Sequence, residues 1–507
     1  MPIVDASAGP LPAETTVDFC VIGSGCGGAT SAWELAKAGK DVLVLEEGGD
    51  YTGLKLTQRD SQMYDQLYMD RGGRATSDLS IAVLQGRALG GGGVINASDV
   101  VPIVDPVLNL WVKKFGLTGF TPEALAPFKQ AALDDLSANV PFEEQLNRNN
   151  KVLRDGATRL GLKGEVMHHN RVGCAGVGAC LIGCPLDRKK NPRFVAIPGA
   201  LEKGARFWIR SRVVRIENAT AELKTLRVRR LDAKGYHEGD EVVVKARHVI
   251  LAANAVATPQ LLLRSGLGNE HVGRNLSLQP QLPVTARFAD TVHFYRGIPQ
   301  AYAVTEHESL DDPEHGWWGF RIEAISGTPG IVGSLLPELG SKGFDLMRDY
   351  DKLAASLLLL PDEPHGQVRV ESNGRLRIDY ALTDEQRARF RQAVKVAAKI
   401  YLAAGATEVY VPCVPPLRIR SEADLKQVDE MTLRPTSAPM MSAHQQGTVR
   451  FAPDAGSGGA NPEGLVYGTK DIYAFDSSGF PTSASSHTMA PILTVSRFLT
   501  RQLLAKA

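Results

Sequence analysis

The chain has 507 residues and a formal net charge of +1, from 57 Lys and Arg against 56 Asp and Glu. This balance gives no electrostatic reason to expect a nucleic-acid partner. Apolar residues make up 43% and charged residues 22%, which excludes the disordered and fibrous classes. Glycine accounts for 50 of the 507 residues, or about 10%, against roughly 7% in an average protein. This excess needs a specific explanation.

The chain carries no recognisable membrane or export segment. Residues 1–16 lack Lys, Arg and an apolar core, so no cleavable secretory signal is predicted. The longest aliphatic stretch, residues 353–360, is far shorter than the roughly 20 residues of a membrane-spanning helix. Six cysteines in so long a chain do not indicate a disulfide scaffold. We therefore expect a cytoplasmic protein without a transmembrane segment.

The first predicted unit is a strand, a glycine turn and a helix. An apolar run over residues 17–22 predicts a buried strand, the turn occupies 23–28, and the helix follows over 29–38. A second short strand over 41–45 ends in Glu46. This order is typical of the first βαβ unit of a dinucleotide-binding domain.

The glycines of this turn fit the G-x-G-x-x-G motif. Gly23 permits the tight turn, Gly25 lets a pyrophosphate approach the backbone, and Gly28 allows close packing of helix on strand. Glu46 is predicted to accept hydrogen bonds from the adenosine ribose, rather than to be an ordinary solvated carboxylate.

A second glycine cluster lies in residues 86–96, with four consecutive glycines at 90–93. Bare backbone there indicates that a flat, bulky ligand lies against it. A flexible hinge is the alternative, because glycine adopts positive φ most easily.

Downstream, Thr121 is a plausible N-cap of a charged helical region that extends to residue 164, and 173–185 is a loop rich in cysteine and glycine. A helix is expected from residue 257, and a capping box at Thr383 and Gln386 opens another that extends to 404. Further strands are predicted at 207–217, 241–251, 282–288, 300–305, 317–324, 367–371 and 375–380.

These segments resemble the glucose-methanol-choline (GMC) oxidoreductase family of flavoenzymes. The turn at 23–28 matches its amino-terminal signature, and 86–96 matches G-R-x-L-G-G-S-S-x-x-N with Gly92 and Gly93 in place of the serines. A third signature matches residues 249–266, with Asn254 where glycine is usual. Three carboxyl-terminal segments also match, at 444–448, 475–482 and 485–489.

The resemblance implies an α/β (α+β overall) protein that binds FAD. A Rossmann-type FAD-binding domain would comprise residues 1–120, 190–280 and 430–507. An inserted antiparallel-sheet substrate domain would comprise 121–189, which includes the loop 173–185, and 281–429. The residues that the resemblance assigns to the cofactor are Gly23, Gly25, Gly28, Glu46, Arg87, Gly90, Gly91, Asn96, Val213, Asp476 and Thr488.

Oxidation of an alcohol needs a hydride acceptor, which the cofactor supplies, and a base, which the protein supplies. The family places the positions of His444 and His487 side by side at the reactive edge of the flavin. His444 is predicted to be the general base, and His487 to hydrogen-bond the substrate oxygen or share the proton. Glu323 lies on a strand expected to face the flavin and is a candidate catalytic residue, although a solvated strand carboxylate is the default interpretation.

Three cysteines, Cys174, Cys180 and Cys184, could ligate an iron-sulfur cluster, as in membrane-linked dehydrogenases of this family. A zinc site would need a fourth ligand, for which His168 or His169 is available. A packed structural loop is the default, so no metal is predicted.

The predicted function is oxidation of an alcohol to an aldehyde or ketone by hydride transfer to flavin N5. Apolar segments at 331–336 and 354–360 favour a lipophilic or aromatic substrate, unless they are simply core. Oxygen or another acceptor would take the electrons. The alternatives are a flavin lyase or decarboxylase of the same fold, and a dehydrogenase subunit that passes electrons through iron-sulfur to a partner.

Overall fold

A computed structural model describes residues 3–335 and 340–506. The strands are, in chain order, β1 (Ile3–Asp5), β2 (Glu14–Ile22), β3 (Val42–Leu45), β4 (Ile81–Val83), β5 (Gly164–Val166), β6 (Arg206–Ile209), β7 (Ser211–Glu217), β8 (Lys224–Leu231), β9 (Glu238–Leu251), β10 (Gln281–Arg287), β11 (Tyr302–Val304), β12 (Glu308–Asp312), β13 (Gly316–Gly319), β14 (Arg321–Ala324), β15 (Leu353–Leu359), β16 (Gln367–Val370), β17 (Leu376–Asp379), β18 (Glu408–Val411), β19 (Leu417–Ile419), β20 (Met440–Ser442) and β21 (Ile472–Ala474). The helices are α1 (Cys26–Lys37), α2 (Asp60–Leu67), α3 (Asp105–Phe115), α4 (Pro122–Asp135), α5 (Arg148–Arg159), α6 (Ala196–Glu202), α7 (Asn254–Ser265), α8 (Pro329–Leu335), α9 (Gly340–Arg348), α10 (Asp384–Ala403) and α11 (Met489–Lys506). The mixed α/β fold class is confirmed.

The first sheet has the strand order β1-β6-β3-β2-β9-β8-β7, and β21 also pairs with β9. Its centre is parallel, with Ile22 of β2 in register with Leu45 of β3 and Leu251 of β9. Strand β3 is buried along its whole length, as expected for a parallel strand covered on both faces. Because these three strands end at one edge, the glycine turn, Glu46 and Ala252 lie side by side there.

The second sheet has the order β19-β18-β10-β15-β14-β11-β5, with β20 paired to β10 and β4 paired to β20. Helices α5 and α10 pack on one face of it. Alternate residues of β10 point to opposite faces, so Leu282 and Val284 are fully buried in the core. Gln281, Pro283 and Thr285 point the other way and line a cavity. The second sheet therefore forms one wall of the candidate site.

Several predicted elements differ from those observed. The strand predicted at 207–217 is broken at Arg210, which has a left-handed φ of 55°, so that β6 and β7 pair with different partners. The strand predicted at 317–324 is broken at Gly319, with a φ of 87°. Helix α1 begins at Cys26, three residues earlier than predicted, because Gly27 and Gly28 at the end of the glycine turn are themselves helical.

Other local predictions are confirmed. Thr121 caps α4 by accepting a hydrogen bond from Ala124 N at 3.2 Å, and Thr383 and Gln386 form the predicted capping box of α10. The apolar segment 331–336 falls in α8, although Leu336 lies outside the described residues. Among the helices of residues 3–335 and 340–506, none has the length and apolar composition that a membrane crossing requires.

Candidate active site

A cavity of about 1180 Å³ lies between the carboxyl edge of the first sheet and the second sheet. The predicted site residues that line it are Gly23, Gly25, Glu46, Arg87, Gly91, Asn96, Val213, His444, Asp476, His487 and Thr488. Gly28, Gly90 and Glu323 do not form part of its wall. The structure thus places residues of both predicted domains around one space.

The glycine turn has tight backbone packing at two of its three motif positions. A Cβ on Gly23, whose φ is 97°, would lie 2.4 Å from Ala252 O, and a Cβ on Gly28 would lie 1.9 Å from Gly23 O. A Cβ on Gly25 would meet only Gly91 Cα, at 3.8 Å. Gly23 and Gly28 are therefore needed by the fold, whereas Gly25 leaves its bare backbone at the cavity.

Glu46 is buried at the end of β3 and is held by three donors, so the solvated alternative is wrong. Its Oε2 accepts hydrogen bonds from Ser24 N at 2.9 Å and Ser24 Oγ at 2.6 Å, and its Oε1 accepts from Gly48 N at 2.7 Å. Burial raises the pKa of Glu46, and these hydrogen bonds oppose the rise. The carboxyl group is thus fixed against the glycine turn and faces the cavity.

The second glycine segment packs closely against neighbouring residues. A Cβ on Gly91 would lie 2.7 Å from Gly25 Cα, and one on Gly93 would lie 2.8 Å from Pro192 Cδ. A Cβ on Gly92 would meet nothing within 4 Å, and Gly92 lines the cavity. The run of glycines is therefore explained in part by the close packing of Gly91 and Gly93, and in part by the bare backbone that Gly92 leaves at the cavity.

Asp476 joins the carboxyl-terminal segment to the start of α7. Its Oδ2 accepts from Asn254 N at 2.9 Å and Thr258 Oγ1 at 2.7 Å, and its Oδ1 accepts from Ser478 N at 2.8 Å. Asn254 has a left-handed φ of 78°, which explains why the family usually has glycine there. Its own side chain accepts from Val256 N at 2.9 Å, so asparagine adds a cap that glycine lacks.

Arg87 and Asn96 are held by neighbouring protein groups. Arg87 donates to the carbonyls of Lys234 at 3.1 Å and Gly235 at 3.0 Å. Asn96 Nδ2 lies 3.2 Å from Met489 Sδ at the start of α11. Both side chains are thereby fixed at the cavity wall.

His444 and His487 lie next to each other at the cavity, with ring centroids 5.1 Å apart. Gln281 Nε2 lies 3.4 Å from His444 Nδ1, and Ser486 Oγ lies 3.1 Å from His487 Nδ1. Burial lowers the pKa of His444 well below its usual value, and His487 adds to this effect. Burial, with the positive charge of Arg321, lowers the pKa of His487 to about 3. Both imidazoles are therefore neutral at pH 7.

Glu323 is fully buried, so the solvated alternative is wrong for it as well. Its Oε2 accepts from Gln300 Nε2 at 2.5 Å, and its Oε1 lies 2.9 Å from Arg321 Nε. Oε2 is also 3.5 Å from His487 Nε2. Burial raises the pKa of Glu323, and Arg321 opposes the rise. Glu323 thus contacts His487 from behind the cavity wall.

Sequence reasoning missed Asp99, which lines the cavity three residues after Asn96. Asp99 Oδ2 lies 3.8 Å from His487 Nε2. The only signal in the sequence is a carboxylate directly before the apolar pair Val100 and Val101, which does not indicate a site by itself.

One part of the cavity wall is rich in apolar side chains. Its lining side chains belong to the second sheet, to α8 and to neighbouring loops, and include Phe294, Ile325, Val332, Leu357, Leu359 and Met441. Such a wall accommodates a hydrocarbon group, while the histidines are among the polar groups that could contact a hydroxyl.

The cysteine loop lies beside this site around a separate cavity of about 20 Å³, lined by Arg171, Lys189 and the three cysteines. Cys174 Sγ accepts from Gly176 N at 3.4 Å, and Cys184 Sγ from Arg188 N at 3.4 Å. Within the described residues, no group of three or more His, Cys, Asp or Glu side chains is arranged to hold a metal ion.

The comparisons with known proteins agree with this geometry. A family profile described as GMC oxidoreductase matches residues 64–281 and 361–496, and one described as an NAD(P)-binding Rossmann-like domain matches residues 21–82. The chain is 31% identical to an uncharacterized GMC-type oxidoreductase of Mycobacterium tuberculosis, over 98% of this chain and 77% of that protein. The chain therefore belongs to the GMC oxidoreductase family.

Other relatives have more specific names. The chain is 27% identical to long-chain-alcohol oxidase FAO4A of Arabidopsis thaliana, over 94% of this chain and 67% of that protein. Among solved structures, pyridoxine 4-oxidase from Mesorbium loti is similar with a TM-score of 0.72 at 17% identity, covering 96% of this chain and 99% of that one. A formate oxidase of Aspergillus oryzae RIB40 has a TM-score of 0.73 at 15% identity, covering 98% and 99%.

The cofactor of this oxidoreductase is FAD, as in its family. The residues present fit this group. Gly25 and Gly92 leave bare backbone at the cavity, the amino-terminal end of α1 lies beside them, and the buried Glu46 faces the same space.

Proposed function

We propose that the protein oxidises an apolar alcohol to an aldehyde or ketone, and that oxygen or another oxidant then accepts the electrons. The observation that carries this proposal is the pair of buried, neutral histidines in a cavity whose wall is rich in apolar side chains. The similarity to proteins named long-chain-alcohol oxidases supports an extended hydrocarbon substrate.

FAD, when bound, supplies the acceptor for the hydride that leaves the alcohol carbon. His444 takes the proton of the hydroxyl group, for which its neutral ring is suited. His487 hydrogen-bonds the same oxygen or shares the proton. Gln281 and Ser486 hold the two rings in place, and the apolar wall excludes water from the alkyl chain. Two proton acceptors at one point favour oxidation over the lyase alternative.

The test is anaerobic mixing of the flavin-loaded protein with primary alcohols of increasing chain length, with glucose as a polar control. Longer alcohols are expected to bleach the flavin absorbance and glucose to leave it unchanged. Recolouring on admission of air would identify oxygen as an acceptor. A flavin that no alcohol bleaches would contradict the proposal.

A further inference from the structure

Asp99 has no part in the function described so far, although its position is unusual. Its side chain is fully buried and it lines the cavity. Among residues 3–335 and 340–506, neither of its carboxyl oxygens has a hydrogen-bond partner. A buried carboxylate without donors is costly, so this group must either be neutral or act on a neighbour.

Two carboxyl groups converge on one nitrogen atom. Asp99 Oδ2 lies 3.8 Å from His487 Nε2, and Glu323 Oε2 lies 3.5 Å from the same atom. Both carboxyl groups are fully buried and face the same atom, so two negative charges there would disfavour each other and the pair holds one proton.

The surroundings decide which group holds that proton. Glu323 accepts a hydrogen bond from Gln300 at 2.5 Å and forms an ion pair with Arg321 at 2.9 Å, which stabilise its charged form. Asp99 has neither kind of contact within the described chain. Glu323 is therefore the ionised member, and Asp99 the protonated one.

We propose that Asp99 is a positioning residue of this site, a neutral carboxylic acid that shares one proton with Glu323 beside His487 and so keeps His487 unprotonated. If both carboxyl groups were charged, the second negative charge would draw a proton onto His487, which could then no longer accept one. The role of Asp99 in catalysis rests on the proposed alcohol oxidation, whereas its protonation state does not.

The charged groups around Asp99 have opposing effects on its pKa. Burial raises the pKa of Asp99 well above its usual value, Arg171 lowers it, and Glu323 raises it. The titratable and charged groups that face Asp99 are Arg171, Cys180, Lys189, Arg321, Glu323 and His487.

The direct test is infrared spectroscopy of the FAD-loaded protein at pH 7. A protonated carboxyl group has a C=O stretching band that shifts in D₂O. The difference between wild type and Asp99→Asn is expected to contain this band, while the other buried acids cancel. A difference spectrum that shows an ionised carboxylate instead would overturn the proposal. This readout needs no substrate, so it stands even if no alcohol is oxidised.

A second variant covers the case in which Asp99→Asn does not fold. Glu323→Gln removes one negative charge facing Asp99, so the Asp99 band should disappear at lower pH than in wild type. An unchanged or higher titration point would show that the two groups do not share a proton.

The catalytic meaning is tested by the pH dependence of anaerobic flavin reduction. In the wild type, ionisation of Asp99 at alkaline pH adds a negative charge beside His487 and slows reduction. Asp99→Asn cannot ionise, so its profile should lose this alkaline decline whatever its absolute rate. An equal decline in the variant would contradict the positioning role, because a merely structural contact would leave the shape of the profile unchanged.

Discussion

His444 and His487 are two basic side chains that burial keeps neutral. Each lies close enough to the other that a positive charge on one disfavours a charge on its neighbour, and Arg321 acts on His487 in the same sense. The two imidazoles can therefore accept a proton at neutral pH, but neither carries a positive charge at rest.

This neutrality predicts a dependence of stability on pH. An unfolded histidine has a pKa of about 6.5, whereas His487 in the folded protein has a pKa of about 3. Between these values the unfolded chain binds more protons, so the stability is complete above about pH 6.5 and falls by about 1.4 kcal/mol per pH unit for each such histidine below it.

Urea unfolding of the FAD-loaded protein between pH 7 and 4.5 measures this effect. His487→Asn removes one of the two histidines, so its unfolding midpoint should fall less steeply with decreasing pH than that of the wild type. Equal slopes for the two proteins would mean that His487 does not contribute.

Substitutions at Gly25 and Gly28 distinguish loss of FAD binding from loss of folding. Gly25→Val is expected to fold, because a Cβ there meets only Gly91 Cα at 3.8 Å, but to lose FAD because the side chain fills the cavity beside the turn. The measurement is FAD released per folded chain. Gly28→Ala is the matched control and should fail to fold, because its Cβ would lie 1.9 Å from Gly23 O. A Gly25→Val protein with full FAD content would contradict this role.

The residues of the site were predictable to different degrees. Local motifs indicate Gly23, Gly28 and Glu46, because their spacing reflects backbone packing within one βαβ unit. Resemblance alone pointed to His444 and His487. Asp99 was not predictable, since its importance depends on contact with a residue almost four hundred positions later in the chain. No periodicity of the sequence records such a contact.

At the scale of elements, the strand breaks show a similar limit. Gly319 is a visible breaking point in the sequence. Arg210 is not a visible breaking point, because its left-handed φ of 55° accompanies tertiary contacts. Its backbone N donates a hydrogen bond to Gly48 O at 3.1 Å, and its side chain forms an ion pair with Asp5 at 3.3 Å. The pattern of apolar residues indicates that a strand exists, but not where such a contact divides it.

Lys189 joins the cysteine loop to the second glycine segment. Its buried Nζ donates to the carbonyls of Val94 at 2.8 Å, Asn96 at 2.9 Å and Cys180 at 2.9 Å, and burial lowers its pKa to about 8. Lys189→Met leaves three carbonyls without this donor, at about 1–3 kcal/mol each. We expect a lower urea midpoint and weaker FAD retention. A variant as stable as the wild type would contradict the connection.

The cysteines of the same loop should be less important for the reaction. Cys174→Ser, Cys180→Ser and Cys184→Ser are each expected to leave anaerobic flavin reduction largely intact, because the hydrogen bond of Lys189 is to the backbone of the loop and does not involve a thiol. Iron content is measured on the same samples. Stoichiometric iron with absorbance beyond the flavin bands, lost in these variants, would favour the electron-transfer alternative.

At the scale of the whole molecule, the candidate site forms where two sheets meet. The amino-terminal βαβ unit and several of the later strands could be predicted from the sequence, as could the overall class, whereas β8 and β15 were not predicted. The assignment of short strands to a sheet could not. Strand β20 (Met440–Ser442) falls within the segment 430–507 yet pairs with β10 and β4 of the second sheet. A strand of three residues is too short for its sequence pattern to indicate which strand it pairs with.

The division into domains and the cytoplasmic location stay predictions.

The proposed oxidation requires that a protein base acts in the step in which the hydride leaves the alcohol. Stopped-flow measurement of anaerobic flavin reduction by a working alcohol tests this directly. His444→Ala should keep its FAD and reduce it about a hundred- to ten-thousand-fold more slowly, whereas His487→Asn should slow the reaction less, since an amide still hydrogen-bonds the substrate oxygen. If His444→Ala reduces as fast as the wild type while His487→Asn does not, the two roles are reversed. If neither variant is slower, the proposed mechanism is wrong.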